Sequence, residues 1–298
     1  MRLSGVRIPP ALRGFRGDGL DADQAFDLVL DGGQVAQINP VDGAPQATLL
    51  SGFVDAHVHL DKTDTVSHVG AAEGDLFKAI ARMDAHRATW TGADLYRRMD
   101  SAIDEAWRAG TRALRTHLDW VDPLATPPAL AVFERLRSEW AGRMELQFAS
   151  LTPLDAFDAP GALDHVAATV ARAGGVLGAF VYRNENLTGK LERVIDRGMA
   201  DGLPLDFHVD EGLDLDATGL QTIAALVRAR LQARGQRARV LCSHACSLSV
   251  QPRALAEATL RDCAEAGLHL AALPATNLYL QGAWDATPIE RRVTRLRE

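Results

Sequence analysis

Two histidines separated by a single residue, His57 and His59, are the first candidates for chemistry in this chain. They end an apolar run that begins behind Gly52 and has the pattern of a β-strand. Successive side chains of a strand point to opposite faces, so the two imidazoles share one face, about 7 Å apart along it. Two imidazoles in this arrangement can converge on one metal ion. The alternative is a strand with two exposed histidines, because a short motif alone has a real false-positive risk.

Other histidines and carboxylates follow later strands at the same relative position. His208 ends the fifth predicted strand and His244 the sixth. Functional residues of a parallel barrel lie at the carboxyl ends of its strands, so these two histidines are expected to meet the first pair. A lone histidine at a strand end is more often a packing residue, but four at the ends of three strands favour a shared site. His117 and Asp119 end the second strand, where they either line the pocket or form a buried hydrogen-bonded pair.

The elements that must position these residues are strands and helices in alternation. Alternating β and α units of this length predict a parallel sheet. Seven strands, counting the first, favour a TIM-type (β/α)8-like barrel over an open sheet. The predicted strands are 53–60, 113–119, 145–151, 176–182, 204–210, 240–244 and 268–273, and the helical patterns after the second strand are 128–140, 163–173, 187–202, 218–234 and 254–267.

Four stretches carry the candidate residues in order along the chain. They are Gly52-Phe-Val-Asp-Ala-His57-Val-His59-Leu-Asp61-Lys62, Asp206-Phe-His208-Val-Asp-Glu211, Cys242-Ser-His244-Ala245 and Asn277-Leu-Tyr-Leu-Gln281-Gly282. Together they resemble the motifs of the amidohydrolase superfamily. The likeness is greatest to its cytosine deaminase branch, which includes hydrolases of aminotriazine rings. The resemblance extends from about Leu28 to the last residue.

The resemblance implies a role for each matching residue. His57, His59 and His208 would hold the metal ion. Glu211 would handle protons, and His244 would lie near the metal or the substrate. Without the motif around it, Glu211 would be interpreted as a solvated loop carboxylate beside its acidic neighbour.

Further candidates surround this set. Asn277 and Gln281 are expected at the substrate, with His117 and Asp119 as additional pocket residues. Asp61 lies two residues after His59, and we expect it to orient a ligand histidine through a hydrogen bond.

These residue types suit the hydrolysis of a carbon–nitrogen bond. A divalent metal lowers the pKa of bound water toward neutrality and so supplies hydroxide at pH 7. Hydroxide attacks a ring carbon that bears an amine, and a carboxylic acid must protonate the ring nitrogen and the departing amine. We therefore expect a metal-dependent deaminase of amino-substituted nitrogen heterocycles, cytosine-like or aminotriazine-like. Neutral imidazoles suit zinc and iron(II) alike, so the identity of the single ion stays open.

The loops after the third and fourth strands depart from the family pattern. Cytosine deaminases carry a Phe-Pro-Gln segment whose amide reads the pyrimidine edge, whereas this chain has Ser150-Leu-Thr152-Pro153-Leu154, with Pro153 at the position of the glutamine. The next loop, Phe180-Val-Tyr182-Arg183-Asn184, lacks the usual His-Phe-Glu. A polar site discriminates by pairing substrate groups, so these losses remove the reason to prefer cytosine.

The family's barrel has an eighth strand with a metal-binding aspartate that takes a proton from the water. The sequence reaches Glu298 before any such motif. The expectation is a barrel with open edges that is poorly stable or associates with other copies, and that turns over little substrate alone. The alternative to an enzyme is therefore a truncated or non-catalytic metal-binding fragment.

The first 50 residues form a separate N-terminal portion of short strands and turns. Phe26–Leu30 and Gln34–Ile38 flank Asp31-Gly32-Gly33, a strong hairpin signal. In the family this portion belongs to a small β-sandwich. We expect a β-sandwich portion at 1–50 and an incomplete hydrolase barrel at 51–298.

Composition restricts partners and location. With 32 basic and 39 acidic residues the net charge is −7, which argues against nucleic acid as a partner. No apolar signal region or long apolar run is present, so we expect a cytoplasmic protein without membrane contact. The expected partner is a small heterocyclic substrate. Homo-oligomers are compatible with the sequence. The chain has three cysteines, and so small and odd a number is typical of free thiols. The two cysteines that flank His244 are interpreted as packing residues. A nucleotide-binding module is disfavoured because no glycine-rich phosphate loop follows a strand.

Overall fold

The computed structural model describes residues 1–13, 20–281 and 293–295 of the 298-residue chain. Gly282 of the fourth motif and most of the segment 291–298 lie outside the described residues. The chain divides into two compact units, Met1–Phe53 and Val54–Glu298. Each unit has its own sheet.

The N-terminal unit is a four-stranded sheet with the strand order β3-β2-β1-β4. The predicted hairpin is confirmed, since β2 and β3 pair antiparallel. Gly32 and Gly33 between them both have positive φ angles, 55° and 78°, which a tight two-residue turn requires. Val6, Ile8, Phe26 and Leu28 form its small core. The strands are β1 (Arg2–Arg7), β2 (Ala25–Asp31), β3 (Gln34–Val41) and β4 (Ala47–Thr48).

The second sheet has seven strands, each next to its neighbour in sequence. The resolved registers from β6 to β11 are parallel. This is the predicted TIM-type barrel, incomplete at seven strands among the described residues. The strands are β5 (Phe53–Val58), β6 (Thr111–Asp119), β7 (Glu145–Pro153), β8 (Leu177–Val181), β9 (Leu205–Val209), β10 (Val240–His244) and β11 (His269–Ala271).

Helices connect these strands close to the predicted positions. Thr91 caps the third helix by accepting a hydrogen bond from the Asp94 backbone at 3.2 Å. The last described helix contains Asn277 of the fourth motif, and it begins at Pro274, which suits the first turn of a helix and cannot donate to a sheet. The helices are α1 (Val66–Val69), α2 (Leu76–Arg87), α3 (Gly92–Arg108), α4 (Pro128–Glu139), α5 (Ala162–Ala173), α6 (Leu187–Ala200), α7 (Gly219–Arg234), α8 (Arg253–Ala266) and α9 (Pro274–Leu280).

Alternation along the barrel strands separates the core from the site. Phe207 and Val209 of β9 belong to the hydrophobic core between strands and helices. Asp206 and His208 alternate with them in sequence, point to the opposite face and are also buried. Since strands of a barrel enclose that face, polar side chains of distant strands meet inside it. Among the described residues, no helix is long and apolar enough to cross a membrane.

Candidate metal centre

Four imidazoles converge at the carboxyl ends of three barrel strands. His57 lies in β5, His59 just after it, His117 in β6 and His208 in β9. One ligand atom from each lies within 4.8 Å of the others. The Nε2 atom of His59 is 3.3 Å from that of His57 and 3.2 Å from that of His208. Zinc–nitrogen bonds of about 2.0–2.1 Å place ligand nitrogens roughly 3–4 Å apart, so this spacing fits a shared ion.

The charge state of these rings also fits a metal ion. Burial lowers the pKa of His57, His59 and His208 well below its ordinary value, so the rings are neutral at pH 7. A neutral imidazole keeps one nitrogen lone pair for a metal. Lone pairs that face one another at 3.2–3.3 Å repel unless a proton or cation lies between them. The donor set therefore fits a divalent ion.

Ser243 was missed from the sequence, and it holds His57. Its Oγ lies 2.8 Å from Nδ1 of His57 across 186 residues of sequence. Ser243 pairs with His208 in the parallel register of β10 and β9, which brings its side chain beside the cluster. A hydrogen bond at Nδ1 leaves Nε2 of His57 turned to the other rings. The only available signal was the position of Ser243 immediately before His244.

Glu211 and His244 lie together beside the histidine cluster. Oε1 of Glu211 is 3.3 Å from Nδ1 of His244, and both side chains are buried. Burial raises the pKa of Glu211 to about 7, partly offset by the charge of Lys62. Burial lowers the pKa of His244 to about 3. At neutral pH this pair thus combines a neutral imidazole with a carboxyl group that can hold or release a proton.

Asn277 and Gln281 contact this pair rather than open space. The Asn277 amide nitrogen lies 3.0 Å from Nδ1 of His244. The Gln281 amide donates to the backbone carbonyl of Glu211. Both residues are buried, so they fix the catalytic candidates in place. Their predicted contact with substrate stays a prediction.

Asp210, which the sequence analysis also missed, fixes the position of the loop that carries Glu211. Its carboxylate accepts hydrogen bonds from the backbone of Gly219 at 3.1 Å and Leu220 at 2.8 Å, at the start of α7. The residue itself has a positive φ of 49°, which turns the chain at the end of β9. The cap and the turn together place Glu211 over the site.

Asp61 has a partner other than the one we predicted. Its Oδ2 accepts a hydrogen bond from the Asp119 backbone at 2.8 Å, while a bond to a histidine ring does not occur among its described contacts. Burial and the charge of Asp119 raise the pKa of Asp61 to about 7. The carboxyl group therefore fixes the end of β6 relative to the segment after His59.

Asp119 is held by two cations that sequence reasoning missed. Lys62 Nζ lies 2.7 Å from Oδ1 of Asp119, and the Arg87 guanidinium of α2 donates to Oδ2. Burial acts to raise the pKa of Asp119, but these two cations outweigh it and lower the pKa. Asp119 and His117 do not form the buried pair considered above. Lys62 is the last residue of the first motif, which was the available signal.

The raised pKa of Glu211 predicts a pH-dependent stability of the metal-free protein. The folded state binds a proton between the ordinary pKa near 4.5 and the raised value near 7. The free energy of unfolding therefore falls as the pH rises through this window, and above the window the full loss is present. The difference in free energy of unfolding between Glu211→Gln and wild type should grow, in favour of the variant, by on the order of 3 kcal/mol between pH 5 and pH 8. Urea unfolding of both proteins at the two pH values measures this difference. The prediction would be contradicted if the free energy of unfolding changed equally in the two proteins.

Comparisons with known proteins agree with this architecture. A pterin deaminase from Rhizobium rhizogenes is 32% identical over 308 residues, covering 99% of this chain and 69% of that protein. The crystal structure of 5-methylcytosine deaminase from Klebsiella pneumoniae superposes with a TM-score of 0.82 at 23% identity, covering 100% of this chain and 71% of that one. The crystal structure of N-isopropylammelide isopropylaminohydrolase from Burkholderia multivorans superposes with a TM-score of 0.69 at 25% identity, covering 90% of this chain and 67% of that one. No protein-family model matches the chain.

The fold and the site define the class of the chain as a (β/α)-barrel protein with a histidine cluster that could hold a metal ion. Its identity to the pterin deaminase, over nearly its whole length, then specifies the group. The chain belongs to the amidohydrolase superfamily and is a deaminase-like hydrolase of carbon–nitrogen bonds.

Proposed function

We propose that this protein deaminates a pterin-type amino-heterocycle at a metal centre held by His57, His59 and His208. The convergence of their Nε2 atoms, at 3.2–3.3 Å, is the observation that carries the proposal. A bound divalent ion would lower the pKa of a water molecule and so supply the nucleophile. Zinc and iron(II) both suit three neutral imidazoles.

Glu211 carries protons in the proposed reaction. Water replaces the exocyclic amine, so the ring carbon gains oxygen, and ammonia leaves after the ring nitrogen and the amine are protonated. A carboxyl group with a pKa of about 7 can accept and give a proton at neutral pH. The burial of Glu211 supports this role, as does its contact with His244, whose ring lies 5.0–5.1 Å from the rings of His57 and His208.

His244 orients the substrate and stabilises charge on it. The Asn277 amide and Glu211 both approach Nδ1, while Nε2 is buried without a hydrogen-bond partner among the described residues. A buried polar atom without a partner costs roughly 1–3 kcal/mol, which a substrate oxygen or nitrogen would recover. We therefore assign Nε2 of His244 to a polar atom of the substrate.

The substrate is better matched by a pterin than by cytosine. The pterin deaminase relative shares 32% identity, whereas the structural likeness to the 5-methylcytosine deaminase speaks for the fold alone at 23%. The position that would carry the cytosine-reading glutamine is Pro153, at the end of β7, whose side chain has no donor. A site without that amide loses its means of pairing with the pyrimidine edge.

A substrate panel tests this proposal. We expect pterin to exceed cytosine by on the order of 100-fold in kcat/KM, with aminotriazines in between. Ammonia release is measured for the zinc-loaded and the iron(II)-loaded protein under the same conditions. Cytosine at or above pterin would overturn the substrate assignment.

The fragment alternative calls for a separate comparison. The same assay is run on the 298-residue chain and on any longer product of its reading frame. Activity confined to the longer product would favour the hypothesis that this chain is a fragment that is inactive alone. Equal activity of the two would favour the enzyme, and Asp61 and Asp119 would then be tested as the group that takes the proton from the water.

A further inference from the structure

A buried charged network lies beneath the histidine cluster, on the inner face of the barrel. Oδ1 of Asp206 is 3.0 Å from Nε2 of His117, and both side chains are completely buried. Oδ2 of Asp206 accepts a hydrogen bond from Arg115 at 3.0 Å. Arg115 also donates to Gln147 at 3.1 Å. Since β6 and β9 are separated by β7 and β8 in the sheet, the contact from Asp206 crosses the barrel interior.

His117 is packed against the proposed ligand rings by this network. Its ring centroid lies 4.0 Å from that of His57 and 4.6 Å from that of His208. Its Nδ1 is buried with no hydrogen-bond partner among the described residues. The approach of Nε2 to Asp206 has the distance of a hydrogen bond but not the angle, and a small ring rotation would complete it.

A carboxylate beside a histidine has a known effect on metal binding. When one ring nitrogen donates its hydrogen to a carboxylate, the tautomer is fixed and the other nitrogen becomes a better metal donor. Arg115 balances the charge of Asp206 and holds its second oxygen, so the carboxylate can serve His117 without being left unpaired in the barrel interior.

We propose that Asp206 is a positioning residue that makes His117 a fourth nitrogen donor of the metal centre. The inference rests on the proposed function, because it requires an ion among His57, His59 and His208. Asp206 accepts a hydrogen bond from Nε2 of His117, and Nδ1 completes the ligand set. Arg115 keeps the carboxylate in place from the far side.

Zinc affinity of the purified full chain tests this role. Asp206→Asn should weaken zinc binding about 10–100-fold, measured by competition with a chromophoric chelator. His117→Asn should produce a similar loss. The double variant should lose little more than either single variant, because both substitutions remove the same donor. Arg135→Gln, which removes an arginine from an exposed ion pair with Glu139 on α4, is the matched control and should leave the affinity unchanged.

Each outcome separates positioning from a merely structural role. Circular dichroism and thermal melting identify variants that fail to fold, and His117→Asn alone still tests the fourth donor if Asp206→Asn does. An unchanged zinc Kd in folded Asp206→Asn, or fully additive losses in the double variant, would overturn the inference and leave the three-histidine centre intact. A wild-type chain that binds no zinc or iron(II) would instead overturn the proposed metal centre itself.

Discussion

Replacing both His57 and His59 by alanine is expected to abolish binding of the divalent ion and, with it, deamination. The two rings contribute two of the three Nε2 atoms that face one another at 3.2–3.3 Å. His208 and His117 would remain, and two nitrogen donors are too few to hold the ion tightly. Elemental analysis of the purified variant should show the metal content falling from about one ion per chain to background, and ammonia release should fall with it.

A matched pair of histidines outside the cluster provides the control. His68 and His86 stack on each other with ring centroids 5.1 Å apart, on α1 and α2. Replacing both by alanine removes the same number of imidazoles, and the metal content should stay at the wild-type level. Stoichiometric metal in the His57→Ala/His59→Ala variant would show that the ion lies elsewhere.

Glu211→Gln is expected to lower kcat about 10²–10⁴-fold while the metal stays bound. The amide keeps the size of the side chain but cannot transfer a proton to the ring nitrogen or the departing amine. Because the substitution leaves the three proposed histidine ligands untouched, metal content should be unchanged. Steady-state ammonia release with pterin, together with elemental analysis, measures both quantities. Most of the effect should fall on kcat rather than KM.

Glu105→Gln on the exposed surface of α3 is the matched control and should retain wild-type kcat. A kcat of Glu211→Gln within tenfold of wild type would exclude Glu211 as the proton carrier. Loss of metal together with activity would instead identify Glu211 as a ligand, and proton transfer would have to be assigned to another group.

The order of strands and helices and the shared face of the histidine pair could be predicted from the sequence. Helices and strands differ in the period of their apolar residues, and that period is a local property of the chain. His-Val-His in a strand puts two imidazoles on one face whatever surrounds it. The hairpin at Gly32 and Gly33 followed in the same way, because positive φ angles are a local requirement that glycine meets.

The partners of the polar side chains were decided only by the tertiary structure. Asp61 was expected at a histidine but bonds to the backbone of Asp119, and Asp119 is held by Lys62 and Arg87. His57 reaches Ser243, 186 residues away in sequence. Such contacts depend on closure of the sheet, which brings the inner faces of distant strands within a few ångströms of one another. Local sequence patterns indicate which face a side chain occupies, but they contain no information about which polar group lies across the barrel.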